Sequence, residues 1–163
     1  MWPHGLDRAQ AGVKVVLTGG GAATVYAPQA YQSKDLDFIV DFWASQAPPS
    51  SQPLVALGFV EGGGIYTQPG TPYSLEFPAG PLAIGEETIT EWETLEEDGQ
   101  VLHILKPTDC ARDRLAWFLF NGDYSGLEQV LAVARLHPVD MDVIAYSDEI
   151  EHRFRLKSSG VSV

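Results

Sequence analysis

A chain of 163 residues, 45% of them hydrophobic, is long enough to bury one sizeable core without a disulfide or structural metal. Its formal net charge of −12 argues against broad contact with nucleic acid, which needs a basic surface, though a local basic patch is compatible with it. The single cysteine, Cys110, excludes an intrachain disulfide and fits a reducing cytoplasm, the Met1–Arg8 start lacks the apolar core of a signal peptide, and no run approaches the ~18 apolar residues of a membrane span.

In chain order, Val13, Val15 and Leu17 alternate with Lys14, Val16 and Thr18, which predicts a short strand. Gly19–Gly21 then reads as a turn, and Ala22–Ala27 as a short helix ended by Pro28. Residues 35–40 form the second strand. Ala47–Pro53 is a Pro/Ser-rich connection, and Leu54–Leu57 is one helical turn stopped by Gly58. Phe59-Val60 and Ile65–Thr67 are strands around Gly62–Gly64, and Tyr73–Phe77 is a strand stopped by Pro78. Thr88–Leu95 and Gln100–Leu105 are expected to pair through the turn Asp98-Gly99.

From Pro107 the apolar period lengthens from two to about 3.6. Ala111, Leu115, Phe118 and Leu119 make a helical stripe that Asn121-Gly122 breaks. Ser125 and Glu128 have the spacing of a capping box, and Leu127, Val130, Leu131 and Ala134 are expected inward on the helix that follows. A third helix is expected after Asp140, with Val143, Ile144 and Ile150 inside, and Lys157–Val163 reads as a tail. Strands first and helices second predict an α+β arrangement, a mixed sheet with a helical cap.

Asp35-Leu36-Asp37 carries the chemistry. Residues i and i+2 of a strand share a face, so the two carboxylates sit together and repel unless a cation lies between them. A hard divalent ion bound through oxygen is the natural partner. Upstream, the glycines after the first strand offer backbone amides to phosphate. The P-loop's Gly-Lys-Ser/Thr is missing, and Thr24 stands where a dinucleotide fingerprint needs Gly or Ala.

With Gly19-Gly20-Gly21-Ala22, Ser33-Lys34-Asp35-Leu36-Asp37-Phe38 and a later acid between apolar neighbours, the chain resembles the DNA polymerase β-like nucleotidyltransferase superfamily. It is most similar to minimal bacterial members, some of which occur in toxin–antitoxin pairs. Two departures stand out: Thr18 precedes Gly19-Gly20, and the spacer from Gly20 to Asp35 is slightly long.

The resemblance implies an α/β nucleotidyltransferase core over residues 1–105, a helical subdomain over 106–157 packed on it, and a tail over 158–163. It implies transfer of NMP from an NTP to a hydroxyl acceptor (a small molecule, protein or RNA end) with release of pyrophosphate. The implied cofactor is Mg²⁺, with Mn²⁺ as a substitute, held by Asp35, Asp37 and a third acid. Glu76, between Leu75 and Phe77, is the leading candidate for that acid and Glu61 the weaker one. Gly19, Gly20 and Ser33 would meet phosphate, with Ser33 equally readable as a strand cap.

Arg114 lies on the apolar stripe of its helix, so it reads either as an ion pair with Asp113 or Asp123 or as a phosphate clamp. Lys106 is a similar phosphate candidate whose plainer reading is a solvated lysine. Cys110, Trp117, Phe118 and Phe120 read as core. His4, His103, His137 and His152 are too scattered for zinc, and Arg153, Arg155 and Lys157 read as a solvated helix end. The alternative to catalysis is a silent nucleotide-binding or partner-binding module of the same fold, antitoxin-like in role. A third reading makes the chain an acidic interaction protein whose carboxylates are simply solvated.

Overall fold

The computed structural model of the chain describes residues 14–30, 32–41, 50–78 and 80–145. Val13, Ala47–Pro49, Ile150, His4, His152, Arg153, Arg155 and Lys157–Val163 lie outside the described residues. Two alternating strands, β1 (Lys14–Thr18) and β2 (Asp35–Asp41), pair antiparallel at the centre of a sheet. Between them runs the helix α1 (Gly19–Tyr26). After the short helix α2 (Gln52–Ala56) come β3 (Val60–Gly62), β4 (Ile65–Thr67) and β5 (Ser74–Glu76). A small separate hairpin, β6 (Ala83–Ile84) and β7 (Glu87–Thr88), precedes β8 (Glu93–Glu97) and β9 (Gln100–Ile104). The seven-stranded sheet has the order β3-β4-β5-β2-β1-β9-β8. β5 runs parallel to β2 and β9 parallel to β1, while the other pairs are antiparallel, so the sheet is mixed as expected.

The apolar face of this sheet builds the core. Val15, Leu17, Leu36, Phe38, Val40, Leu75 and Ile104 are all buried, together with Ala22, Ala23 and Tyr26 of α1. Close approach of α1 depends on Gly21. A Cβ there would lie 2.9 Å from Leu36 Cδ2 and 3.1 Å from Leu17 Cδ1, inside normal contact. The helical cap consists of α3 (Pro107–Asn121), α4 (Tyr124–Leu136) and α5 (Met141–Ala145). Ala111, Val130 and Ile144 form a small cluster where the three helices meet. Arg112, buried on α3, bonds Asp109 at 3.0 Å and also Glu87, tying the cap to the β6–β7 hairpin.

Several details differ from the sequence expectation. The three glycines are the first turn of α1, not a turn before it. The β6–β7 hairpin was not anticipated, and β8 starts at Glu93 and not at Thr88. Asp123 caps α4, accepting from the Ser125 amide at 2.9 Å, which places Ser125 inside the helix and removes the capping box. The buried face of α4 is Gly126, Gln129, Val130 and Val133, with Leu131 exposed. Trp117, Phe120 and Val143 are also exposed. No described helix is long and apolar enough to cross a membrane.

Candidate functional site

Sheet register assembles the carboxylates. Asp35 lies level with Ser74 and Asp37 with Glu76 on the parallel neighbour β5. Thr18 is level with Asp37 on the other side, and Ile65 with Glu76. By alternation, Asp35, Asp37, Ser74 and Glu76 therefore share the face opposite buried Leu36 and Leu75. Glu76 is thus on the strand beside the Asp pair. Glu61 on β3 is two strands further out and instead accepts the Gly64 amide at 2.7 Å in its own turn.

The glycine helix begins against this row. The Thr18 hydroxyl donates to the Asp37 carbonyl at 3.2 Å, so it does not cap α1. The first amides of α1 are consequently left without a side-chain cap, the positive end of a helix dipole. Gly19 has φ +64, and a Cβ there would lie 2.9 Å from Asp37 Oδ2 and 3.7 Å from Arg114 Nη2. One small residue is thus what lets an acid of β2 and a cation of α3 approach the helix start together. Ser33 packs on Gly20, its hydroxyl donating to the Asp35 carbonyl at 2.9 Å.

Charge is unevenly balanced here. Burial raises the Asp37 carboxyl above the ordinary carboxylate range. Glu76 raises it further, Arg114 opposes, and Asp35 and Asp113 add smaller pushes upward. Arg114 is largely buried and pairs with Asp113 through Nη2 at 2.8 Å and Nε at 3.1 Å. The ion-pair reading of Arg114 therefore holds for Asp113, and the same guanidinium also lies near Gly19, where its charge is felt at Asp37. Asp123 takes another partner, the Trp117 Nε1–H at 3.1 Å. Lys106 stands at the start of α3 and is engaged by Glu91. None of the described contacts brings it to the carboxylate row.

The donor chemistry suits a hard divalent cation: three carboxylates on two adjacent strands, one of them resisting ionisation through burial first and then through Glu76. The side chains are not gathered, however. The Ser74 hydroxyl donates to Asp35 Oδ1 at 2.6 Å. Among the described residues no three His, Cys, Asp or Glu side chains already converge as a metal cluster. Sharing an ion would require the carboxylates to rotate toward one another.

Some participants were missed in the sequence. Thr24 donates to the Gly20 carbonyl at 2.9 Å and accepts the Ser33 amide at 2.8 Å, fastening the helix to the segment before β2. Gln129, buried on α4, also reaches the Gly20 carbonyl, at 3.4 Å. A polar residue on the inner stripe of α4 was the available signal. Cys110 is fully buried and its thiol is pushed well up by that burial, so it is a core residue and not a nucleophile.

No protein-family model matches the chain, and no curated protein does. Solved structures do match. An antigenic nucleotidyltransferase-like protein from Paracoccidioides brasiliensis superposes with a TM-score of 0.57 at 15% identity, over 91% of this chain and 81% of that one. The antibiotic-resistance factor ANT(2'')-Ia gives a TM-score of 0.43 at 11% identity, over 91% and 85%. Only the first is close enough in shape to bear on this chain, and at that identity it bears on the fold. The mixed sheet, the glycine-started helix between its central strands and the helical cap together make a nucleotidyltransferase-like α+β fold.

Proposed function

We propose that this chain is a metal-dependent nucleotidyltransferase that moves NMP from an NTP to a hydroxyl acceptor and releases pyrophosphate. The observation that carries the reading is the meeting at Gly19 of an uncapped helix start, the Asp37 carboxylate level with Glu76, and the Arg114 guanidinium. Asp35, Asp37 and Glu76 would hold Mg²⁺ (or Mn²⁺), which supplies charge neutralisation at phosphate and a lowered pKa for the acceptor hydroxyl. The amides of Gly19 and Gly20 would hold the terminal phosphate. Ser33 packs against the same turn and would keep its backbone in place. Arg114 would offset the negative charge of the leaving pyrophosphate. Glu76 would accept the proton of the attacking hydroxyl. Lys106 serves the phosphates only if it leaves Glu91.

The test is pyrophosphate release from each NTP with Mg²⁺ across small-molecule, protein and RNA-end acceptors. Glu76→Gln is expected to remove it and Glu61→Gln to leave it. The opposite pattern overturns the choice of third acid.

One observation favours a second reading, the catalytically silent module: the three carboxylates are not gathered as a metal cluster. Nucleotide-dependent thermal stabilisation without turnover over the same acceptor panel would select it. A toxin–antitoxin role rests on the sequence resemblance alone, and co-purification with the product of a neighbouring gene would test it.

A further inference from the structure

Trp117 is a large aromatic side chain left 45% exposed. It is nevertheless fixed in place. Its Nε1–H donates to Asp123 Oδ2 at 3.1 Å, and Asp123 is itself the N-cap of α4. One ring edge lies against Gly126, where a Cβ would be 3.3 Å from Trp117 Cδ1 and 2.8 Å from the Arg114 carbonyl. Over the ring sits the Arg114 guanidinium, with Cζ 5.5 Å from the centroid, inside the range of a cation–π contact. Trp117 and Arg114 are three apart on α3 and so share a helix face.

We propose that Trp117 is a positioning residue for Arg114. It acts as a platform that, with Asp113, aims the guanidinium at the start of α1 for contact with a triphosphate. The inference rests on the nucleotidyltransferase reading. An arginine side chain has four flexible torsions, and with Asp113 paired to it and the Asp37 carboxylate nearby it has more than one carboxylate to choose from. The Asp113 pair uses Nε and Nη2, the two atoms on one side of the fork. The ring contact fixes the plane of the fork. With both set, the orientation of the guanidinium is chosen before the ligand arrives, and less rotamer freedom is lost on binding. The chain of contacts runs from the cap of α4 through Trp117 and Arg114 to Gly19. It couples the helical cap to the phosphate end of the site.

The experiment measures binding of inorganic tripolyphosphate with Mg²⁺ by calorimetry, alongside KM and kcat for NTP. The proteins are wild type, Trp117→Phe, Trp117→Leu, Arg114→Met and the double variant Trp117→Leu/Arg114→Met. The leucine variant is expected to weaken tripolyphosphate binding about three- to tenfold, with the phenylalanine variant recovering most of the loss because it keeps an aromatic face. In the Arg114→Met background the leucine change is expected to add nothing, the signature of a residue acting through another. If leucine unfolds the chain, Trp117→Met replaces it in the same cycle. Equal affinities for Phe and Leu, or full additivity with Arg114→Met, overturn the role of Trp117 while leaving the nucleotidyltransferase reading intact. If wild type binds neither tripolyphosphate nor any NTP, the reading of the site fails and this inference fails with it.

Discussion

Replacing Asp37 with asparagine removes one negative charge from a half-buried position and keeps the shape of the side chain. In the folded protein the Asp37 carboxyl is harder to ionise than in the unfolded chain, first through burial and then through Glu76. Between the ordinary aspartate value of about 3.9 and its raised folded value, the folded state therefore binds more protons than the unfolded state. Stability falls as pH climbs through that window, and below it the penalty is absent. Asparagine escapes the penalty, and Arg114 keeps Asp113 as its partner. At pH 7 Asp37→Asn is expected to be more stable than wild type by about 0.5–2 kcal/mol, the usual gain from relieving a destabilised functional position. For a chain of this size each kcal/mol is roughly 2–4 °C in Tm. The advantage should vanish below about pH 4, where wild-type Asp37 is protonated in both states. Urea unfolding of both proteins from pH 3.5 to 8 reads this directly. Added Mg²⁺ should raise the Tm of wild type and not of the variant. A variant less stable than wild type at pH 7 by more than about 1 kcal/mol would refute the reasoning, because Asp37 would then be a structural partner of Arg114 and not a strained site.

Gly19→Ala should cost about 1–2 kcal/mol from the left-handed backbone alone. It should also disturb the site, since its Cβ would fall 2.9 Å from Asp37 Oδ2, so thermal melts and NTP binding should both report the change. Arg112→Ala should lose about 2–4 kcal/mol, somewhat under the usual cost of breaking a buried ion pair because Glu87 is largely exposed. Arg112→Met should lose less, since its unbranched chain still fills the buried space that alanine would leave as a cavity; urea denaturation of the two variants gives the comparison. Hydrogen bonds from Trp117 and Ser125 hold the Asp123 carboxyl below the ordinary range. Its contribution is present above the ordinary aspartate value and lost as pH falls through the lowered one. The Tm difference between wild type and Asp123→Asn should accordingly close toward low pH.

The legible parts of the fold were those with strong local period. β1, β2 and β5 follow alternation, and each buries the face that its pattern gives, whereas of the stripe expected on α3 only Ala111 is fully buried, beside Cys110 and Arg112, with Leu115, Phe118 and Leu119 half-buried. The β6–β7 hairpin has two-residue strands, too short to alternate, with Gly85 at φ +60 in its turn. The inner stripe of α4 sits one residue earlier than its apolar pattern predicts, because Gly126 and Gln129 do not register as apolar. Both are buried for reasons outside the helix: one admits α3 closely and the other reaches Gly20. In the site, the Asp-x-Asp spacing on β2 and the strand position of Glu76 were readable locally. The approach of Arg114 to Gly19 was not, because it depends on how α3 packs across α1. An aromatic on a helical stripe reads as core, whereas the Trp117 ring is 45% exposed and lies under the largely buried Arg114 guanidinium.

The most direct measurement is transfer from α-phosphate-labelled NTP with Mg²⁺, comparing wild type with the double variant Asp35→Ala/Asp37→Ala across the acceptor panel. Label should move to an acceptor with stoichiometric pyrophosphate release in wild type and fall to background in the double variant. Transfer that persists unchanged without the two carboxylates would contradict the assignment of the site to Asp35 and Asp37.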